Sequence, residues 1–83
     1  MYYLYMGKIN VVSGVGDYEL LGMYNLKEDV FNDYCVIKNR EQKEINGWNL
    51  QKNEYVEIHI SDNKEEIIKQ CYISKRGEII KCQ

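Results

Sequence analysis

Eighty-three residues, 45% hydrophobic and 29% charged with a net charge of −2, leave room for one domain, residues 1–83, whose core is near the lower limit of what folds unaided. That composition excludes a disordered chain, and the slight acidic balance disfavours a dedicated binder of phosphate backbones, which carries a strong basic excess. The acid is concentrated early: residues 1–33 hold Asp17, Glu19, Glu28, Asp29 and Asp33 against Lys8 and Lys27, and the remainder sums to +1.

The opening Met-Tyr-Tyr-Leu-Tyr-Met run has no basic leader and is broken by Gly7, Lys8 and Asn10. It reads as neither a signal peptide nor a membrane span, so a cytoplasmic location is expected. Residues 2–12 predict a first strand with Tyr2, Leu4 and Met6 on one face, Tyr3 and Tyr5 on the other, and a bend at Gly7. After the flexible Ser13-Gly14-Val15-Gly16-Asp17 connection, residues 18–24 predict a second strand that pairs with it as a hairpin.

Asn25 followed three positions later by Glu28 resembles a helix-start box, and Leu26, Val30 and Tyr34 recur every four residues. A short helix over residues 26–33 is expected, packed on the sheet through Val30 and Phe31. From Tyr34 to Lys38 the residues are strong β formers, and the polar run from Asn39 to Lys43 then predicts a turn. Asn46-Gly47 is a two-residue hairpin signal that competes with a hairpin through residues 40–42.

Strict alternation over residues 55–60 predicts a half-buried antiparallel strand, with Val56, Ile58 and Ile60 inward and Tyr55, Glu57 and His59 toward solvent. The chain enters it through Asn53, placed where a left-handed residue is wanted. A turn at residues 61–64 leads to a strand over 67–73 and a closing hairpin. A three-residue loop Lys75-Arg76-Gly77 with Gly77 left-handed sets Ile73 opposite Ile79 and Cys71 opposite Lys81. A two-residue loop sets Cys71 opposite Cys82, the arrangement a disulfide needs, and the glycine position favours the first. The whole reads as mainly β, a β-rich α+β domain. The expectation is a strongly bent antiparallel sheet or an SH3-like or OB-like barrel, with an open sheet crossed by the helix as the competitor.

No catalytic constellation is legible. His59 is the sole histidine and no nucleophile stands at a recognisable spacing from it, so it is expected at the surface and the chain is expected not to be an enzyme. Cys35, Cys71 and Cys82 lack the paired spacing of zinc ligands, and buried apolar cysteines are the simpler expectation, with no cofactor and no metal. Gly14-Val15-Gly16 lacks the lysine and helix of a phosphate loop and reads as a plain connection.

Tyrosine is the signal that survives. Eight tyrosines exceed what so small a core can bury with every hydroxyl paired, so several should lie at the surface. Tyr55, Tyr72, Tyr3 and Tyr5, with Trp48, are therefore candidate protein contacts, and Asp17, Glu19, Glu28, Asp29 and Asp33 would complement a basic partner. The ordinary alternative is tyrosines half-buried at the rim with wet hydroxyls. A non-enzymatic protein-binding module is the preferred expectation. Small acidic inhibitors from phages or mobile elements, acting on host or defence nucleic-acid-handling proteins, share its size and composition. The second is a single-stranded nucleic-acid binder using Arg40, Lys43, Lys52, Lys75 and Arg76 among the aromatic rings, although Glu41, Glu44 and Glu54 lie between them. Self-association through sheet edges is a third.

Overall fold

Alternation in the fifth segment of the chain does produce a strand, and its inward residues Val56, Ile58 and Ile60 are fully buried. The computed structural model describes the chain through residue 82 and side chains through residue 80. Strands β1 (Tyr2–Asn10) and β2 (Gly16–Tyr24) form the first hairpin, and helix α1 (Lys27–Glu44) leads through a 3₁₀ turn at Ile45–Trp48. Strands β3 (Glu54–Ser61), β4 (Ile67–Ile73) and β5 (Ile79–Cys82) complete the chain.

All five strands join one antiparallel sheet in the order β2-β1-β3-β4-β5. The sheet is open, with β2 and β5 at opposite edges, so neither barrel expectation holds and the competing open arrangement is the one formed. The physical reason lies in the helix. At 18 residues α1 runs for about 27 Å and supplies a complete second layer, so the core closes without the edges having to meet.

That helix is more than twice the expected length. It absorbs the predicted strand at residues 34–38, the turn at residues 39–43 and the hairpin through residues 40–42, while Asn46-Gly47 falls in the 3₁₀ turn. Its inward stripe is Val30, Tyr34 and Glu41, continued by Ile45 in the 3₁₀ turn, with Phe31 and Ile37 packed alongside. A glutamate occupies a core position, which breaks the apolar period. Glu41 is accommodated because Trp48 Nε1 donates to one of its oxygens at 2.7 Å and Arg40 to the other at 3.1 Å. Tertiary packing and the helix formers Lys38, Arg40, Glu41, Gln42 and Lys43 override the β-propensity of residues 34–37. The Asn25 box is not used: the helix caps at Leu26 without a side-chain bond, while Glu28 and Asp29 at its start and Lys43 at its end suit its dipole.

Leu4 and Met6 from β1, the three inward residues of β3, and Cys71 and Ile73 from β4 meet the helix stripe to form the core. Asn53 is not left-handed; the positive φ before β3 falls on Asn49 instead. In the last hairpin both predicted registers coexist. Gly77 is left-handed and Ile73 faces Ile79, but a bulge between Tyr72 and Ile73 then sets Cys71 opposite Cys82 rather than Lys81. Cys71 is buried, whereas Cys35 is exposed on the helix, against the expectation of buried cysteines throughout. The disulfide between Cys71 and Cys82, the less favoured outcome in the sequence, falls on a side chain outside those described. Gly77 also touches the last turns of the helix: Gln42 Nε2 donates to its carbonyl at 3.2 Å, and a Cβ there would sit 2.8 Å from the Gln42 carbonyl oxygen.

Candidate functional site

The helix covers one face of the sheet. On the other, β1 contributes Tyr3 and Tyr5, β2 Tyr18, Leu20 and Met23, β3 Tyr55, Glu57 and His59, and β4 Tyr72, because residues opposite each other across the ladder share a side. Leu20 and Met23 are exposed there, 45% and 58%, and Ile67 lies exposed at the start of β4. Yet Glu57 and His59 on this helix-free face are buried, at 2% and 8% exposure. The expectation of a surface His59 is thereby overturned. Tyrosine rings do the covering: Tyr5 stacks on the imidazole with centroids 5.0 Å apart, and Tyr18 meets it edge-on at 5.1 Å.

Gly7 makes this arrangement feasible. It lies between Tyr18 and Glu57 in the ladder, and without a side chain there the Tyr18 hydroxyl reaches across β1 and donates to Glu57 Oε2 at 2.7 Å. A Cβ at Gly7 would collide with the Asp17 carbonyl oxygen, so the backbone of β2 also needs the gap. Burial, then the bond to Glu57 and its charge, hold the Tyr18 hydroxyl well above the ordinary tyrosine range. Tyr72, directly across from Glu57, is raised by burial and then by the same carboxylate. On the helix side, burial and the 2.7 Å bond to Asp33 push Tyr24 up to about 12.

His59 Nδ1 lies 3.6 Å from Glu57 Oε1, too far for a hydrogen bond, and has no partner among the described residues. Ser61 follows on the same strand face, and among the described residues no hydrogen bond joins its hydroxyl to His59. Among the same residues no group of three or more His, Cys, Asp or Glu side chains is placed to hold a metal ion. Nor is any described helix long and apolar enough to cross a membrane.

Beside the buried pair the surface opens into a groove of about 410 Å³. Tyr3, Tyr5, Tyr18 and His59 line it from the sheet, and Asp62 and Glu65 from the β3–β4 turn. Of the predicted contacts, Tyr3 and Tyr5 belong to this groove, and Tyr72 lies on the same face. Tyr55 lies in a second, shallower depression of about 210 Å³ with Lys52, Lys75 and Arg76. Trp48 is committed to Glu41 under the helix end, and Arg40 is paired with the same glutamate. Lys43 is exposed in the last turn of the helix.

The five predicted acids do not join the groove's tyrosines, and the one that meets a tyrosine hydroxyl, Asp33, does so at Tyr24 on the helix side. Asp17 and Glu19 alternate with Tyr18 and Leu20 and so face the helix side, and Glu28, Asp29 and Asp33 ride on the helix itself. The acids that do meet the rings, Glu57, Asp62 and Glu65, were not anticipated from the sequence, nor was Tyr18 as a contact. A mid-strand glycine flanked in its hairpin by an aromatic residue was the available signal. Comparison of the chain with protein-family models, with curated proteins and with solved structures finds no match.

Proposed function

We propose that this chain is a non-enzymatic protein-binding module that docks a larger partner on the helix-free face of its sheet. One observation carries the reading: the rings of Tyr5 and Tyr18 roof a buried Glu57–His59 pair beside exposed Leu20, Met23 and Ile67. Aromatic and apolar surface of this kind, rimmed by polar groups, is what protein interfaces present, and tyrosine is prominent among the residues that dominate their energies. A partner with a basic surface suits the carboxylates Asp62 and Glu65 at the edge of the groove. In the inhibitor form of the proposal, the contact occupies the surface with which such a partner holds nucleic acid.

The test is capture from a lysate of the source cell on immobilised chain, followed by calorimetry with the purified candidate. Wild type should retain a protein that a Tyr3→Ala, Tyr5→Ala double variant loses. Equal capture by both chains would remove the helix-free face from the proposal.

A second reading has one observation of its own. Lys52, Lys75 and Arg76 share a depression with Tyr55, a combination of cations and a ring that suits single-stranded nucleic acid, although Glu54 and Glu78 line it too. Anisotropy of a labelled oligonucleotide decides it: binding by this route must weaken steeply as salt rises and must fall with Lys75→Ala.

A further inference from the structure

We infer that the groove beside Tyr5 takes one cationic side chain, a guanidinium or an ammonium, presented by the partner; the inference rests on the protein-contact reading above and specifies its chemistry. The walls carry three tyrosine rings, from Tyr3, Tyr5 and Tyr18, and the faces of such rings attract cations. Asp62 and Glu65 line the same groove, and among the described residues no lysine or arginine does. Lys64, between them in sequence, lines a neighbouring depression with Met1 and Tyr2 instead. Among the described residues, the carboxylates that line the groove are therefore Asp62 and Glu65, and Asp62 also borders the depression that holds Lys64.

The floor adds a second observation. His59 is more than nine-tenths buried beneath the rings, its Nδ1 unbonded among the described residues, with the Glu57 carboxylate 3.6 Å from it on the same strand face. That carboxylate is nearly without solvent, and a charge in such a place is screened least. The rim is fixed in advance as well. One Asp62 oxygen accepts from the amides of Lys64 and Glu66 at 2.9 and 3.1 Å, which holds the carboxylate in place, while its other oxygen makes no hydrogen bond among the described residues. A ligand meeting a held acceptor loses less on ordering it. Exposed Leu20 and Met23 on the same sheet face offer apolar surface to the stem of a long cationic side chain.

The groove has room for one extended side chain. A volume of about 410 Å³ stands near the bottom of the range of roughly 300–1,000 Å³ occupied by drug-sized ligands, and the groove is open to the surface. An extended Arg or Lys enters such a groove from a protein surface without the partner having to surrender its own fold.

The experiment is a titration of the isotopically labelled full chain, followed by NMR, with N-acetyl-arginine amide, N-acetyl-lysine amide and the neutral isostere N-acetyl-citrulline amide. The cationic probes should shift the amides of Tyr5, Tyr18, Asp62 and Glu65 saturably, with affinity about tenfold above that of the citrulline probe. An Asp62→Asn, Glu65→Gln double variant, which keeps the turn acceptors and should preserve a folded spectrum, should lose that preference. Equal response to arginine and citrulline overturns the inference, as does response confined to the Tyr55 depression. The two readings also separate in the capture assay. Retained capture by the Asn/Gln variant with loss by the Tyr3→Ala, Tyr5→Ala variant removes the cation inference and leaves the contact reading standing, whereas capture unchanged by either variant removes both.

Discussion

The Tyr18 hydroxyl and the Glu57 carboxylate meet at 2.7 Å across a strand that lies between them. Glu57 is almost without solvent, so this bond is a main source of compensation for a buried acid. Tyr18→Phe keeps the ring over His59 and removes only the donor. It should lower unfolding free energy by about 1–3 kcal/mol in urea titration. A Glu57→Ala partner variant, which removes the acceptor, completes a double-mutant cycle, and full additivity of the two losses would show that the bond contributes nothing.

Gly7→Ala tests the crossing from the other side. A methyl group there meets the Asp17 backbone carbonyl, which cannot swing aside as a long side chain could, so β2 must shift away from β1. Destabilisation of about 1–3 kcal/mol is expected, together with a changed ring-current shift at His59 in the NMR spectrum. An alanine variant as stable as wild type would mean that β2 moves freely at this point.

Alkaline pH should weaken the fold. Tyr24 ionises near 10 when unfolded and at about 12 when folded, so the native state keeps its proton longer than the unfolded state does. Its contribution is complete below pH 10 and is lost as pH climbs through 12. Tyr18, raised in the same direction, extends that loss to still higher pH. Urea midpoints measured from neutral pH upward should hold and then fall, and Tyr24→Phe should flatten the first part of the decline.

Trp48→Phe removes the 2.7 Å indole donor from Glu41, which stands 6% exposed in the helix stripe. Arg40 remains on the other oxygen, so the expected loss is about 1–2 kcal/mol. Glu41→Gln in the Trp48→Phe background should recover part of it by neutralising the acid, measurable as a rise in the thermal midpoint.

The strands were legible wherever one side of the sheet is apolar. Leu4 and Met6 against Tyr3 and Tyr5, or Val56, Ile58 and Ile60 against their neighbours, carry a two-residue period that only a half-covered sheet explains. The helix was legible only in its first two turns, because beyond Tyr34 the inward position is filled by Glu41 and the outward Val36 is 64% exposed, which inverts the usual pattern. The site was half legible. Tyr3 and Tyr5 followed from composition, but the burial of His59 depends on β3 being central and on which residues stand across from it, and that register is set by long-range pairing that no local window contains.

Strand β3 wears two surfaces on one backbone, the oily interior on its even-numbered residues and the ring-roofed acid and imidazole on Glu57 and His59. A guest seated among the tyrosines therefore pulls on the same hydrogen-bonded ribbon that anchors the interior. A guest bound on the outer side should therefore slow amide exchange at Val56, Ile58 and Ile60, residues it does not touch.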